Sequence, residues 1–186
     1  MQWGNTSNNY GAVAKFLHWG IVVLIIAQYV LAEAAEELPD GLEKLALITR
    51  HKSVGLLILS LAILRIVWRV ANQGRPAPVP MDRRQQIAAA AGHGILYLLL
   101  LALPISGWMM SSAANYPVSF FGLFQLPALV AADHDLHESL EEVHEALFLA
   151  VTVVAVLHAL AAVYHHVWMK DDTLRRMLPF GRPRSS

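Results

Sequence analysis

Residues 143–169 read VHEALFLAVTVVAVLHALAAVYHHVWM, and from Ala146 to Met169 this stretch holds no Asp, Glu, Lys or Arg. An apolar run of that length meets the roughly 20 residues needed to cross a bilayer as a helix. His144 and His158 punctuate it, fourteen residues apart. Fourteen residues make almost four helical turns, so both imidazoles project from nearly the same face, about 21 Å apart along the axis. That is a large fraction of the roughly 30 Å hydrocarbon core. Two histidines at opposite depths imply two ligand sites, each needing an opposing group, and His18 and His51 are the candidates.

Working outward, the 186 residues are 56% hydrophobic and 15% charged, with a mean hydropathy of +0.45. Soluble domains carry about 25% charge, so the composition points to a membrane protein. Cys is absent. That excludes disulfides, thiolate metal sites and covalent C-x-x-C-H attachment of haem. The net charge is zero and the pI about 7.1, so no nucleic-acid partner is expected.

Three further apolar segments accompany the first. Phe16–Ala32 is seventeen residues between Lys15 and Glu33; a second begins near His51 and runs through SVGLLILSLAIL; a third lies within the uncharged stretch Gln85–Ala132. Lipid forces a backbone to satisfy its own hydrogen bonds, so helices are preferred. The expected fold is all-α: a four-transmembrane-helix bundle in one domain, residues 1–186, with spans at about 12–34, 51–70, 86–111 and 141–169. Pro104 falls inside the third span, where a kink is tolerated. The following SSAANYPVSFFGLFQLPALVAA reads as a loop partly in the membrane interface, with a short re-entrant helix as the alternative. NQGRPAPVPMDRR is a Pro-rich polar connection. No repeat of 20–50 residues is visible. Ala32-Glu33-Ala34 resembles a signal-peptidase site, but the weak basic region before it favours a retained first span.

Lys and Arg set orientation. With the N-terminus, the connection between spans two and three, and the C-terminus on one side, that side holds Lys15, Arg65, Arg69, Arg75, Arg83, Arg84, Lys170, Arg175, Arg176, Arg182 and Arg184. The other holds Lys44, Arg50 and Lys52. Eleven against three places both termini in the cytoplasm. Three acidic residues lie on that side and eleven outside, as in an inner-membrane protein.

Topology then assigns depth. His18 lies near the cytoplasmic surface and His51 near the outer one; His144 is outer and His158 inner. Two couples follow, His51 with His144 and His18 with His158. Bis-imidazole ligation fills both axial positions of a haem iron and suits electron transfer, so two noncovalent haem b groups are expected. Gly55, Gly11 and Gly20 offer clearance for a porphyrin face. A proton relay or a metal path is the competing reading for ionisable groups inside a membrane. A zinc site, however, gathers three or four ligands, and here they fall into distant pairs.

His93 begins span three on the cytoplasmic side and competes with His18 or His158 as a ligand. The preferred role is a hydrogen-bond donor to a propionate or a backbone carbonyl. His134 and His137, in DHDLHE, read as solvated outer-loop residues rather than metal ligands. His165 lies two turns beyond His158 on the cofactor face. It is a candidate for quinone chemistry, because imidazole moves protons near neutral pH. His166, turned about 100° away, reads as facing headgroups or solvent. Trp168 and Lys170 suit interfacial anchoring.

FLHWG, RHKSVG, GHGILYLLLLALPISGWMM, NYPVSFFGLFQLP and VLHALAAVYHHVWMKDDTLRRMLP, in this order and spacing, resemble the bacterial cytochrome b561 family of diheme membrane proteins. The likeness covers nearly the whole chain. The resemblance implies haem ligation by His18, His51, His144 and His158, in agreement with the depth argument. It is nearest to the family's superoxide oxidase form, which passes electrons from periplasmic superoxide through two haems to ubiquinone. On that likeness His51/His144 hold the haem where electrons arrive, His18/His158 the haem where they leave, and His165 marks the quinone end. One departure is the acidic outer side, since superoxide is an anion and positive charge would steer it. Arg50 and Lys52 beside His51, with Lys44 nearby, form a local positive patch.

Two functions are expected to compete. One is a superoxide:ubiquinone oxidoreductase. The other is a b-type electron-transfer subunit between the quinone pool and a periplasmic or dehydrogenase partner, docked on the acidic outer face. A cofactor-free relay protein is the third reading and requires the absence of Soret absorption.

Overall fold

A computed structural model describes residues 2–72, 76, 79 and 81–181. The Pro-rich connection lies partly outside the described residues, and Arg75, Arg182 and Arg184 lie outside them. Four long helices dominate: α1 (Ala12–Glu36), α2 (Leu42–Ala71), α3 (Arg83–Ala113) and α4 (His134–Val167). Each is long and apolar enough to cross a membrane. A short α5 (Thr173–Met177) follows, and two strands, β1 (Val118–Phe120) and β2 (Phe124–Leu126), lie between α3 and α4.

The helices outrun the expected spans. α4 begins at His134 because the Asp133 carboxylate accepts a hydrogen bond from the Leu136 amide at 2.9 Å. α3 begins at Arg83 under a capping box: Asp82 accepts from the Gln85 amide at 2.8 Å, and the Gln85 side chain accepts from the Asp82 amide at 3.3 Å. Such caps satisfy amides that have no partner inside the helix. They are polar, so a count of apolar residues stops short of them. His134 and His137 therefore lie in the first turn of α4 rather than in a loop. α3 also runs unbroken through Pro104.

Successive helices pack in order, α1 on α2, α2 on α3 and α3 on α4. α1 meets α4 through side chains, with the Tyr29 ring stacked on Phe148 at 6.0 Å. The buried apolar core is thin, built around Leu17, Ile21, Leu56, Ile58, Leu99 and Val151. Large apolar residues on the outer helix faces, such as Val23, Leu64, Leu98, Leu149 and Leu160, are exposed. An apolar exterior around a thin core is what a helix bundle presents to lipid, where no water must be excluded between exterior and solvent.

The segment after α3 forms an antiparallel hairpin, not a re-entrant helix. Val118 pairs with Leu126 and Phe120 with Phe124. The turn needs a left-handed backbone at Phe121 (φ 50°) and Gly122 (φ 75°), and glycine enters that region without steric cost. Ser53 of α2 pins it: its hydroxyl lies 2.9 Å from the Ser119 carbonyl and accepts from the Phe121 amide at 3.1 Å. Trp108 Nε1 donates to the Pro127 carbonyl at 3.0 Å. Phe121, Leu123 and Phe124 at the tip are exposed, as aromatic and apolar groups at a membrane interface are.

At the opposite end the chain closes on itself. Asn9 Nδ2 and Lys15 Nζ reach the Gly181 carbonyl at 3.4 and 3.5 Å, and Trp19 Nε1 donates to the Met177 carbonyl at 2.9 Å. Residues 9 and 181 thus share one end of the bundle, hereafter the terminal end. The other is the hairpin end. Close approach explains Gly11: a Cβ there would collide with the backbone of Gly4. Its small size serves the N-terminal segment, not a porphyrin face.

Candidate functional site

The bundle brings four helical histidines into two pairs. At the hairpin end, His51 of α2 faces His144 of α4 with ring centroids 6.4 Å apart and planes at 71°. At the terminal end, His18 of α1 faces His158 of α4 at 6.3 Å and 80°. Two metal–imidazole bonds of about 2 Å, with about 1.1 Å from ring nitrogen to ring centre on each side, would separate the two centroids by about 6.2 Å. Both pairs meet that spacing. The His93 ring lies beside the terminal pair, its centroid 5.1 Å from that of His158. His93 Nδ1 donates to the Ala89 carbonyl at 2.7 Å.

The pair at the hairpin end opens on a cleft of about 80 Å³, lined by Gln28, His51, Lys52, Gly55, Gly107 and His144 among others. Its donor chemistry fits an iron porphyrin. Two imidazoles face across it, the donor set that a haem iron takes. Gln28 Nε2 donates to the His51 carbonyl at 2.9 Å, fixing the backbone that carries the ring. The His144 ring rests on Gly107, where a Cβ would sit 3.0 Å from His144 Cε1. Ser106 Oγ lies 2.9 Å from His144 Nδ1.

Lys52 lines this cleft, with its ammonium 5.3 Å from the centre of the Tyr116 ring. Arg50 is exposed and is not among the lining residues, as expected for a residue turned about 200° around the helix from Lys52. Lys44 pairs with Asp40 at 3.0 Å. Of the positive patch, Lys52 is the member that reaches the cleft.

At the terminal end, α4 stops at Val167 and Lys170 takes a left-handed turn (φ 53°). The reversal returns Asp171 to His165: Nδ1 and Oδ2 lie 2.6 Å apart, with the two side chains 14% and 15% exposed. The Thr173 amide donates to the other carboxylate oxygen at 2.8 Å. Burial pushes the Asp171 pKa up, but the hydrogen bonds from His165 and Thr173 prevail and hold it below the usual carboxylate range. His166 is half-buried, its Nδ1 lacking a hydrogen-bond partner among the described residues, rather than open to solvent. Trp168 is exposed. Near the terminal pair, Arg65 Nε donates to the Tyr97 hydroxyl at 3.2 Å, and Arg69 sits 5.8 Å from the centre of the same ring. At the other end His134 pairs with Glu138 at 3.5 Å, while His137 Nδ1 donates to the Met110 carbonyl at 3.2 Å.

Sequence reading passed over Ser106, Gly107, Gln28, Asp171, Arg65 and Tyr97 as site residues. The first four act through partners on other helices or across a chain reversal. For Arg65 a signal existed, since an arginine near the end of an apolar span needs a partner.

A four-helix membrane bundle with a facing imidazole pair at each end has the form of a b-type membrane cytochrome. Residues 9–180 match the prokaryotic cytochrome b561 family. The chain is 36% identical over 181 residues to "Cytochrome b561 homolog 2" of Escherichia coli (strain K12), covering 96% of this chain and 95% of that protein. It is 32% identical over 171 residues to "Probable superoxide oxidase CybB" of Yersinia pestis, covering 91% and 96%. It is 26% identical over 173 residues to "Cytochrome b561 homolog 1" of Escherichia coli (strain K12), covering 92% and 98%. The chain belongs to the prokaryotic cytochrome b561 family. It is a multi-pass bacterial membrane protein of a family that binds b-type haem and carries out membrane electron transfer.

Proposed function

We propose that the chain is a diheme superoxide:ubiquinone oxidoreductase of the bacterial inner membrane, with both termini cytoplasmic. The observation that carries this reading is the pair of imidazole couples, 6.4 and 6.3 Å between centroids, at opposite ends of one bundle. His51 and His144 would hold one haem b, His18 and His158 the other. Bound haem supplies one-electron chemistry without an open coordination site. The overall reaction is two superoxide anions, one ubiquinone and two protons giving two dioxygen molecules and one ubiquinol. The Lys/Arg excess at the terminal end supports a periplasmic hairpin end, and the likeness to the probable superoxide oxidase of Yersinia pestis supports the substrate.

The chain's own groups have distinct tasks. Lys52 places positive charge at the cleft and draws in an anion. Charges beyond about 8 Å are largely screened at physiological salt, so Lys52 prevails locally over more distant carboxylates. Arg50 contributes only to the approach. At the terminal end His165, held by Asp171, is placed to deliver protons to a reduced quinone through its other ring nitrogen. Haem-loaded protein mixed with superoxide should be reduced rapidly and reoxidised only when ubiquinone is added. Indifference to superoxide, with rapid reduction by quinol, would overturn the substrate assignment.

A second reading, an electron-transfer subunit with a redox protein partner, draws on one observation. The first turns of α4 carry Asp135, Glu138, Glu141, Glu142 and Glu145 before the apolar run begins. That acidic projection at the hairpin end suits a basic partner. Fast reduction by such a partner, lost at high salt, would favour it.

A further inference from the structure

We propose that Ser106, with Gly107, is the positioning element that sets the tautomer and donor strength of His144 at the hairpin-end haem. This rests on the bis-imidazole reading above. Ser106 is buried on α3, 6% exposed. Its hydroxyl faces two partners, the Leu103 carbonyl at 2.8 Å and His144 Nδ1 at 2.9 Å. A hydroxyl has one proton and a carbonyl only accepts. The Leu103 carbonyl takes the hydroxyl proton and also hydrogen-bonds the His144 ring, so His144 Nδ1 is the donor and Ser106 Oγ accepts from it beside that carbonyl. The imidazole is left with its Nε2 lone pair unprotonated, the form a metal ligand requires. The next residue completes the seat. A Cβ at Gly107 would meet the ring at 3.0 Å from Cε1 and 3.3 Å from Nδ1, so a larger residue here would push the imidazole back by a few tenths of an ångström.

The facing ligand has no such support. His51 Nδ1 is buried with no hydrogen-bond acceptor among the described residues. The pair is therefore asymmetric, with the α4 imidazole held and made more basic, and the α2 imidazole held only through its backbone. A stronger donor stabilises ferric over ferrous iron, so Ser106 keeps the potential of this haem lower than an unsupported pair would have.

The experiment uses full-length, haem-loaded protein in detergent, with His144→Ala, Ser106→Ala, Ser106→Thr and Gly107→Ala. Midpoint potentials, low-temperature electron paramagnetic resonance and haem retention are measured alongside thermal unfolding. His144→Ala should remove one haem signal, which identifies the hairpin-end haem. Ser106→Ala should retain both haems at saturating supply, raise the potential of that haem alone, shift its resonance, and weaken its retention about 10–100-fold. Ser106→Thr keeps a hydroxyl and should restore all three. Gly107→Ala should perturb the same signal by displacing the ring. If Ser106→Ala lowers the unfolding temperature but leaves that haem's potential and resonance at wild-type values, Ser106 merely satisfies backbone near Pro104 and the proposal is overturned. If instead His144→Ala leaves two unchanged haem signals, the ligand reading fails, whatever Ser106 does.

Discussion

His165 Nδ1 and Asp171 Oδ2 lie 2.6 Å apart beyond the last turn of α4, joined by a chain reversal at Lys170. The carboxylate fixes the proton on Nδ1 and leaves Nε2 to exchange protons with a partner. Replacing His165 should slow quinone turnover about 100-fold, the low end of what general acid–base groups supply, while both haem spectra stay intact. Asp171→Asn should slow it less, and should alter its pH profile. Loss of haem from the His165 variant would mark the residue as structural.

The same pair links stability to pH. The Asp171 carboxyl is held below its ordinary value of about 3.9. A lowered carboxylate pKa stabilises the fold above that ordinary value, and the contribution is lost as pH falls through the lower folded value. Asp171→Asn should therefore cost about 1 kcal/mol at neutral pH, the scale of a partly solvated charge-assisted hydrogen bond. The difference from wild type should vanish at the acid end of that window. Thermal unfolding in detergent at neutral and acid pH measures it, and an equal cost at both would contradict the linkage.

Lys52 and Arg50 flank His51 with different outlooks, since of the two Lys52 lines the cleft. Lys52→Glu should slow reduction by superoxide about tenfold or more and weaken its dependence on ionic strength. Arg50→Gln should change the rate less than Lys52→Glu does. Stopped-flow measurement at several salt concentrations compares them; equal effects would point to general field rather than local steering.

Ser53 is 1% exposed and carries the hairpin. Ser53→Ala leaves the Phe121 amide without its acceptor, a loss of about 1–3 kcal/mol. Faster hydrogen exchange at residues 119–124, with little change in α1, would show that the loss is local.

Much of this arrangement was legible in the chain. Fourteen residues on one helix face set the separation of His144 and His158, and alternating topology supplied partners at matching depths; the structure brings those same residues within 6.4 Å. These are periodic features, and periodicity is local information. The hairpin was missed because short strands next to aromatics in an apolar stretch carry no helical or alternating pattern long enough to read. Ser106 was missed because its partner lies 38 residues away on another helix. Asp171 is six residues beyond His165 and past the end of α4, and the left-handed turn at Lys170 returns it to His165. The helix starts at Arg83 and His134 lie outside the apolar runs because capping is polar chemistry.

The most direct measurement is the haem content of purified protein by pyridine haemochrome, combined with resonance spectra of wild type, His144→Ala and His158→Ala. Two haem b per chain are expected, each low-spin with two histidine nitrogens. His144→Ala should remove mainly one and His158→Ala mainly the other. One haem per chain, or none, or both substitutions abolishing the same single signal, would contradict the paired-imidazole arrangement.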